Sequence, residues 1–197
     1  ESRREIGKAQ TRQALIDAAL VLFATDGYDQ TTAEAIAKHA GVSARTFFRH
    51  FATKESALFF GEDDFYRLFI DELAVQPTNV SELAAIASAY VAVTPSIEGI
   101  RGRFKQYRQA IATSSALRGQ EQSYRDNHVA DVAKAVARRR GQRRVDNSCR
   151  VVAEVGTTVF ELAVTDWVAG PARTKLATIV ADRFQLLTEA TEKKARR

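Results

Sequence analysis

The tightest constraint on this chain is a spacing. Ala37 is followed four residues later by Gly41, and Phe47 comes six residues after that. Two short helices crossing steeply need three things. They need a small residue where their backbones approach, a residue that accepts left-handed backbone at the turn, and an apolar side chain to lock the second helix down. Ala37, Gly41 and Phe47 meet these demands in register, and Ile36, Val42 and Phe51 add apolar contacts. The pattern predicts a helix-turn-helix over residues 32–51. The plainer alternative is an ordinary helical hairpin, or the same hairpin used for protein contacts.

The remainder also reads as helix. Only three prolines occur (Pro77, Pro95 and Pro171), and alternating apolar–polar runs of strand type are missing. The fold class expected is all-α. A first helix is predicted over about 4–25, with Leu15, Ala19, Leu22 and Phe23 as its apolar stripe and Asp26-Gly27 as its stop. Thr31-Thr32-Ala33-Glu34 has capping-box spacing and opens a second helix ending near Ala40. Ser43 caps a third, and Thr53 caps a fourth that runs to about Val75. Later helices are expected at about 80–93, 97–115, 119–140, 146–169 and 174–193. A composition shift near residue 54 divides the chain into 1–54, a small N-terminal helical bundle, and 55–197, a larger C-terminal one.

Composition narrows the function classes. Cys149 is the single cysteine, and His39, His50 and His128 are too widely spaced for a helical metal pair, so no metal or other cofactor is expected. No apolar run approaches the ~20 residues of a membrane span, and no signal-peptide core opens the chain. These features predict a cytoplasmic protein with no membrane partner, and the missing initial methionine predicts numbering that begins inside the native chain. No nucleophile–base pair or phosphate-cradling glycine loop is visible, so no enzyme is expected. The net charge of +5 is a weak argument for nucleic acid. Its excess lies at the C-terminal end, in Arg138, Arg139, Arg140, Arg143 and Arg144, read as a solvated loop, and in the tail Lys193, Lys194, Arg196 and Arg197.

The helix-turn-helix must therefore carry the DNA reading. Its second helix would present Ser43, Ala44, Arg45, Thr46, Phe48, Arg49 and His50 outward, with Phe47 and Phe51 as core. Such a helix lies in the major groove of double-stranded DNA with its first residues at base edges. Arg45 suits a bidentate bond to guanine, and Thr46 a base or phosphate. His50, Lys54 and Thr32 are placed for phosphates, with Arg3 and Arg4 as an N-terminal arm.

The run Leu22-Phe23, Gly27-Tyr28, Thr31-Thr32, Ile36-Ala37, Ala40 to Ser43, Thr46 to Phe51 and Lys54-Glu55 resembles the DNA-binding domain of the TetR (tetracycline-repressor) family. The resemblance covers roughly residues 10–58. It implies an all-α homodimeric repressor, with three N-terminal helices for DNA and a helical C-terminal domain for a small inducer. Family members usually present tyrosine at the place of Phe48, so the phosphate contact of that hydroxyl is absent here. Arg45 stands where glycine or proline is frequent, which marks it as a sequence-specific reader. The Phe-rich fourth helix and the Arg103-Phe104-Lys105-Gln106-Tyr107-Arg108 segment resemble the mycofactocin-regulator branch.

Phe65, Phe69, Phe104, Tyr107 and Trp167 are the candidate ligand-pocket residues, with core packing as the alternative for each. Glu62-Asp63-Asp64 reads as charged surface rather than a cation site. Arg101, Arg103, Lys105 and Arg108 suggest a mouth for an anionic inducer such as an acyl-coenzyme A. The helices at about 146–169 and 174–193 each carry a broad apolar face, including Val151, Val155, Val159 and Leu162, then Ile179, Val180, Phe184 and Leu187. They are expected to form a four-helix interface with a second copy. That dimer would hold two recognition helices one DNA turn apart, on a pseudo-palindromic operator.

Overall fold

The computed structural model describes residues 3–59 and 62–192, with side chains described for 5–59, 64–191 only. The expected Arg3–Arg4 arm, the Glu62–Asp63 carboxylates and the tail charges lie outside the described residues or side chains. Among the described residues the regular structure is helical: α1 Arg3–Thr25, α2 Ala33–His39, α3 Ala44–His50, a 3₁₀ turn Glu55–Ala57, α4 Glu62–Val75, α5 Glu82–Val93, α6 Pro95–Glu98, α7 Arg101–Ala112, α8 Ser115–Arg139, α9 Asn147–Ala169 and α10 Leu176–Glu192. The chain divides into two compact units, Glu1–Glu62 with Gly102–Ser123, and Asp63–Arg101 with Tyr124–Arg197.

The first unit is built on α1. Leu15, Ala19 and Phe23 are fully buried, as are Ile36 and Ala37 of α2 and Phe47 of α3, and α2 packs on both α1 and α3. Gly27 stops α1 at φ +84°, and Gly41 turns the chain between α2 and α3 at φ +71°. Both sit in the left-handed region that glycine enters without a Cβ clash. The unit extends past the expected end at residue 54 for a visible reason. Ala57, Leu58 and Phe59 are buried, the Phe59 ring lies edge-on to Tyr107 of α7, and Arg103 of α7 pairs with Asp17 of α1 at 2.8 Å.

Two local readings are corrected. The N-cap of α2 is Thr32, whose hydroxyl accepts from the Ala35 N–H, so the expected pairing of Thr31 with Glu34 does not form. Thr31 is buried instead, and its hydroxyl donates to the Gly27 carbonyl at 2.8 Å, tying the turn to the end of α1. The expected fourth helix is interrupted. Thr53 caps only the 3₁₀ turn, accepting from the Ser56 N–H at 3.3 Å, and α4 starts at Glu62.

In the second unit α5, α9 and α10 pack on one another. Gly156 of α9 faces Ile86 of α5 so closely that a Cβ at 156 would stand 2.8 Å from Ile86 Cγ2. Glu98 of α6 accepts the Leu176 N–H at 2.9 Å, filling the first turn of α10. The arginines read as a solvated loop are partly interior. The Arg139 side chain is only 5% exposed and bonds Glu82. It also donates to the carbonyls of Leu73 at 3.2 Å, Gln76 at 2.7 Å and Pro77 at 2.9 Å. One guanidinium thereby closes the last turn of α4 and holds the first turn of α5, work that helix ends otherwise leave to caps or water.

Candidate functional site

The face expected to meet DNA is assembled as its residue types require. Ser43 has extended backbone and caps α3, accepting from the Thr46 N–H at 3.2 Å, and its hydroxyl also meets that of Thr46 at 3.0 Å. Phe47 is fully buried and Phe51 nearly so, their rings 5.6 Å apart. With this side anchored, Arg45 and Arg49 are exposed, Thr46 and Ala44 are half-buried, and Phe48 stands out at 52% exposure. Thr32 is exposed at the start of α2. Its oxygen is used by the Ala35 N–H, which leaves the hydroxyl proton to donate.

His50 and Lys54 are placed otherwise than expected. Both ring nitrogens of His50 are covered and lack a hydrogen-bond partner among the described residues. Burial, reinforced by Arg49, Arg12 and Lys8, holds its pKa below the ordinary value, so the ring is neutral at pH 7 and offers no cation to a phosphate. The Lys54 ammonium donates to the carbonyls of Tyr28 at 2.7 Å and Thr31 at 2.9 Å, and lies 3.9 Å from the Tyr28 ring centroid. Tyr28 also bonds Glu55, and burial together with that bond pushes its pKa up to about 12. Lys54 is thus a clamp on the turn before α2. Lys8 and Arg12, which were missed, are the cations that act on His50 from α1. Their spacing of four residues on a predicted helix was the available signal.

The expected pocket residues do not form one lining within either unit. Phe104 and Tyr107 belong to the first unit, and Phe65, Phe69 and Trp167 to the second. Phe69 is fully buried in a stack, 3.9 Å from Tyr90, which lies 4.0 Å from Phe160, which in turn lies 5.5 Å from Phe65. Trp167 is buried beneath Arg101, whose guanidinium is 5.5 Å from its ring. Two of the cations assigned to an anionic mouth are committed elsewhere. Arg101 bonds the carbonyls of Pro171, at 2.8 Å, and Gly170, and Arg103 bonds Asp17.

A different cavity, of about 400 Å³, lies in the second unit between α4 and the later part of α8, with Tyr66, Ile70, Tyr124, His128, Lys134 and Arg138 in its wall. His128 is 4% exposed. Its ring stacks on Tyr66 at 3.6 Å, and its Nε2 meets the Tyr90 hydroxyl at 2.9 Å. Burial pushes the imidazole down to about 3. The unfolded chain takes up this proton near the ordinary histidine value of 6.5, and the folded chain refuses it until about 3. Stability is therefore expected to fall as pH drops through that window, by up to about 1.4 kcal/mol per pH unit. Urea midpoints at pH 7 and pH 5 check this. A His128→Gln protein that loses as much stability as the parent would show that another group is responsible.

The family model "Bacterial regulatory proteins, tetR family" matches residues 15–59, and "MftR C-terminal domain" matches residues 80–192. The HTH-type transcriptional regulator TcmR of Streptomyces glaucescens is 39% identical over 98 residues, which is 47% of this chain and 43% of that protein. The HTH-type transcriptional repressor KstR2 of Rhodococcus jostii (strain RHA1) is 35% identical over 96 residues, 48% of this chain and 45% of the relative. The chain thus spans less than half the length of either relative that it matches. A crystal structure of Thermus thermophilus FadR, a TetR family transcriptional repressor in complex with lauroyl-CoA, has the same fold, with a TM-score of 0.54 and 22% identity over 90% of this chain and 93% of that one. By the extent of these matches, the chain belongs to the TetR family of bacterial regulatory proteins.

Proposed function

We propose that the chain is a ligand-responsive DNA-binding transcriptional regulator, a cytoplasmic homodimeric repressor released from a pseudo-palindromic operator by a small-molecule inducer. The observation that carries the reading is α3. Its two inward phenylalanines are buried while Arg45 and Arg49 stay exposed behind a Ser43 cap, as a helix entering the major groove requires. Residues 1–54 hold the DNA-binding elements and 55–197 the regulatory and dimerisation elements. Ser43, Ala44, Arg45, Thr46, Phe48 and Arg49 face the duplex, with Thr32 on phosphate. Among the described residues no helix is long and apolar enough to cross a membrane.

Dimerisation is assigned to α9 and α10. Val151, Leu162 and Leu186 are more than half exposed there, an apolar surface that a symmetric four-helix contact would cover. Inducer binding acts by favouring a dimer geometry in which the two copies of α3 no longer match successive major grooves. The KstR2 relative named as a repressor and the FadR complex with lauroyl-CoA support repression and ligand response as the family habit.

Operator selection from random DNA, followed by mobility shift at a stated salt concentration, tests the reading. Arg45→Ala is expected to weaken the selected site by about 1–3 kcal/mol and relax base preference at one position in each half-site. Unchanged preference would remove Arg45 as a reader. Failure of the unaltered chain to select any site would remove DNA binding.

A further inference from the structure

The wall of the cavity between α4 and α8 is polarised along its length. Tyr124, His128, Asp131, Lys134 and Arg138 recur at the helical period, so one face of α8 supplies them all. At the Tyr124–His128 end the surface is aromatic, with Tyr66 of α4 stacked on the imidazole. Ile70 of α4 continues it with an apolar patch. Toward the other end the charged groups gather, and they are not equivalent. Lys134 is committed to Asp131 at 2.7 Å, while Arg67 of α4 lies beside Tyr66 at the aromatic end and is committed to Asp64. Arg138 is exposed and has no ion-pair partner among the described residues. An arginine offers a flat, permanently charged fork suited to a carboxylate.

The wall also holds an unspent polar atom. Tyr90 is fully buried, and its hydroxyl pairs with His128 Nε2. His128 Nδ1 is buried with no partner, so a ligand oxygen that reached it would satisfy a group now left bare. His128, on which Tyr66 stacks, and Arg138 lie about 15 Å apart along α8 at about 1.5 Å per residue. Both side chains lean toward the N-terminus and the longer arginine leans further, which brings the gap toward the length of two linked rings with a carboxylate.

We propose that this cavity binds an elongated planar aromatic acid, its ring system against Tyr66 and its carboxylate on Arg138. This rests on the ligand-responsive reading and gives the inducer a chemical class. It differs from the mouth of Arg101, Arg103, Lys105 and Arg108, of which Arg101 and Arg103 are engaged elsewhere.

Biphenyl-4-carboxylate is the probe, titrated calorimetrically into the full chain beside its neutral isostere biphenyl-4-carboxamide and the ring-free acid decanoate. The carboxylate is expected to bind at least tenfold more tightly than either. Arg138→Gln, a surface change checked by an unaltered melting curve, is expected to abolish its advantage over the carboxamide. Equal binding of acid and amide, an advantage that survives Arg138→Gln, tighter binding of decanoate, or no binding of biphenyl-4-carboxylate would each overturn the assignment. The ligand-responsive reading stands or falls separately. If a compound of another class releases the selected operator, only the aromatic-acid assignment fails. If biphenyl-4-carboxylate binds as expected and leaves operator affinity unchanged, the cavity assignment stands and ligand response through it fails.

Discussion

Replacing Phe47 by alanine is expected to remove about 3–5 kcal/mol of stability and to abolish the operator mobility shift at 25 °C. The side chain is fully buried, α3 packs on α2, and seven-residue helices such as α3 have little stability of their own. Their order comes from the apolar face they bury. Domains of this kind typically hold only about 5–15 kcal/mol against unfolding, so a loss of that size consumes much of the margin. The adjacent residue is the control. Phe48 is 52% exposed, and Phe48→Ala is expected to change stability by no more than about 0.5 kcal/mol. Urea denaturation of both proteins, read by far-UV circular dichroism, decides the matter. Similar midpoints for the two would mean that α3 is not anchored through Phe47.

A loss of comparable size is expected in the second unit from Arg139→Met. The aliphatic stem is retained, so the change isolates the guanidinium. Its removal strands three carbonyls at the end of α4 and leaves Glu82 with only the longer contact to Arg140, at 3.4 Å. Breaking a largely buried pair by deleting one partner costs about 3–5 kcal/mol. Arg138→Met, one residue earlier and exposed, is expected to stay within about 0.5 kcal/mol. The single tryptophan, Trp167, is buried in the same unit and reports its unfolding by fluorescence. An Arg139→Met midpoint equal to the parent's would show that the bonds to α4 contribute nothing net.

These two arginines mark the limit of what could be read from residues alone. Short-range patterns were legible. Gly27 and Gly41 carry the positive φ expected of them, Ser43 caps α3, and α8, α9 and α10 end within a few residues of their predicted bounds. All of these depend on neighbours within a turn or two. The misreadings concern side chains whose partners are distant in sequence. Arg139 was assigned to solvent because its four bonding groups lie near residues 73–82. The Tyr28 and Thr31 carbonyls that hold the Lys54 ammonium have no local signal in the sequence. Thr31 and Thr32 were equally good caps by type, and only the inward turn of Thr31 separates them. The aromatic residues were recognised as important, but periodicity cannot tell a stacked core from a cavity wall. Phe65 and Phe69 belong to the stack, and Tyr66 between them belongs to the wall.

The approach of Gly156 to Ile86 restricts how this protein can change over generations. A methyl group at 156 would press on Ile86 Cγ2, and a β-branched side chain that is fully enclosed has no alternative rotamer to retreat into. Trimming Ile86 alone would open a void between α5 and α9. Each exchange taken singly is a loss, and only the two together conserve volume. Lineages that enlarge one side of this contact are therefore expected to have shrunk the other, so that the pair drifts in step while the surrounding helix surfaces vary freely.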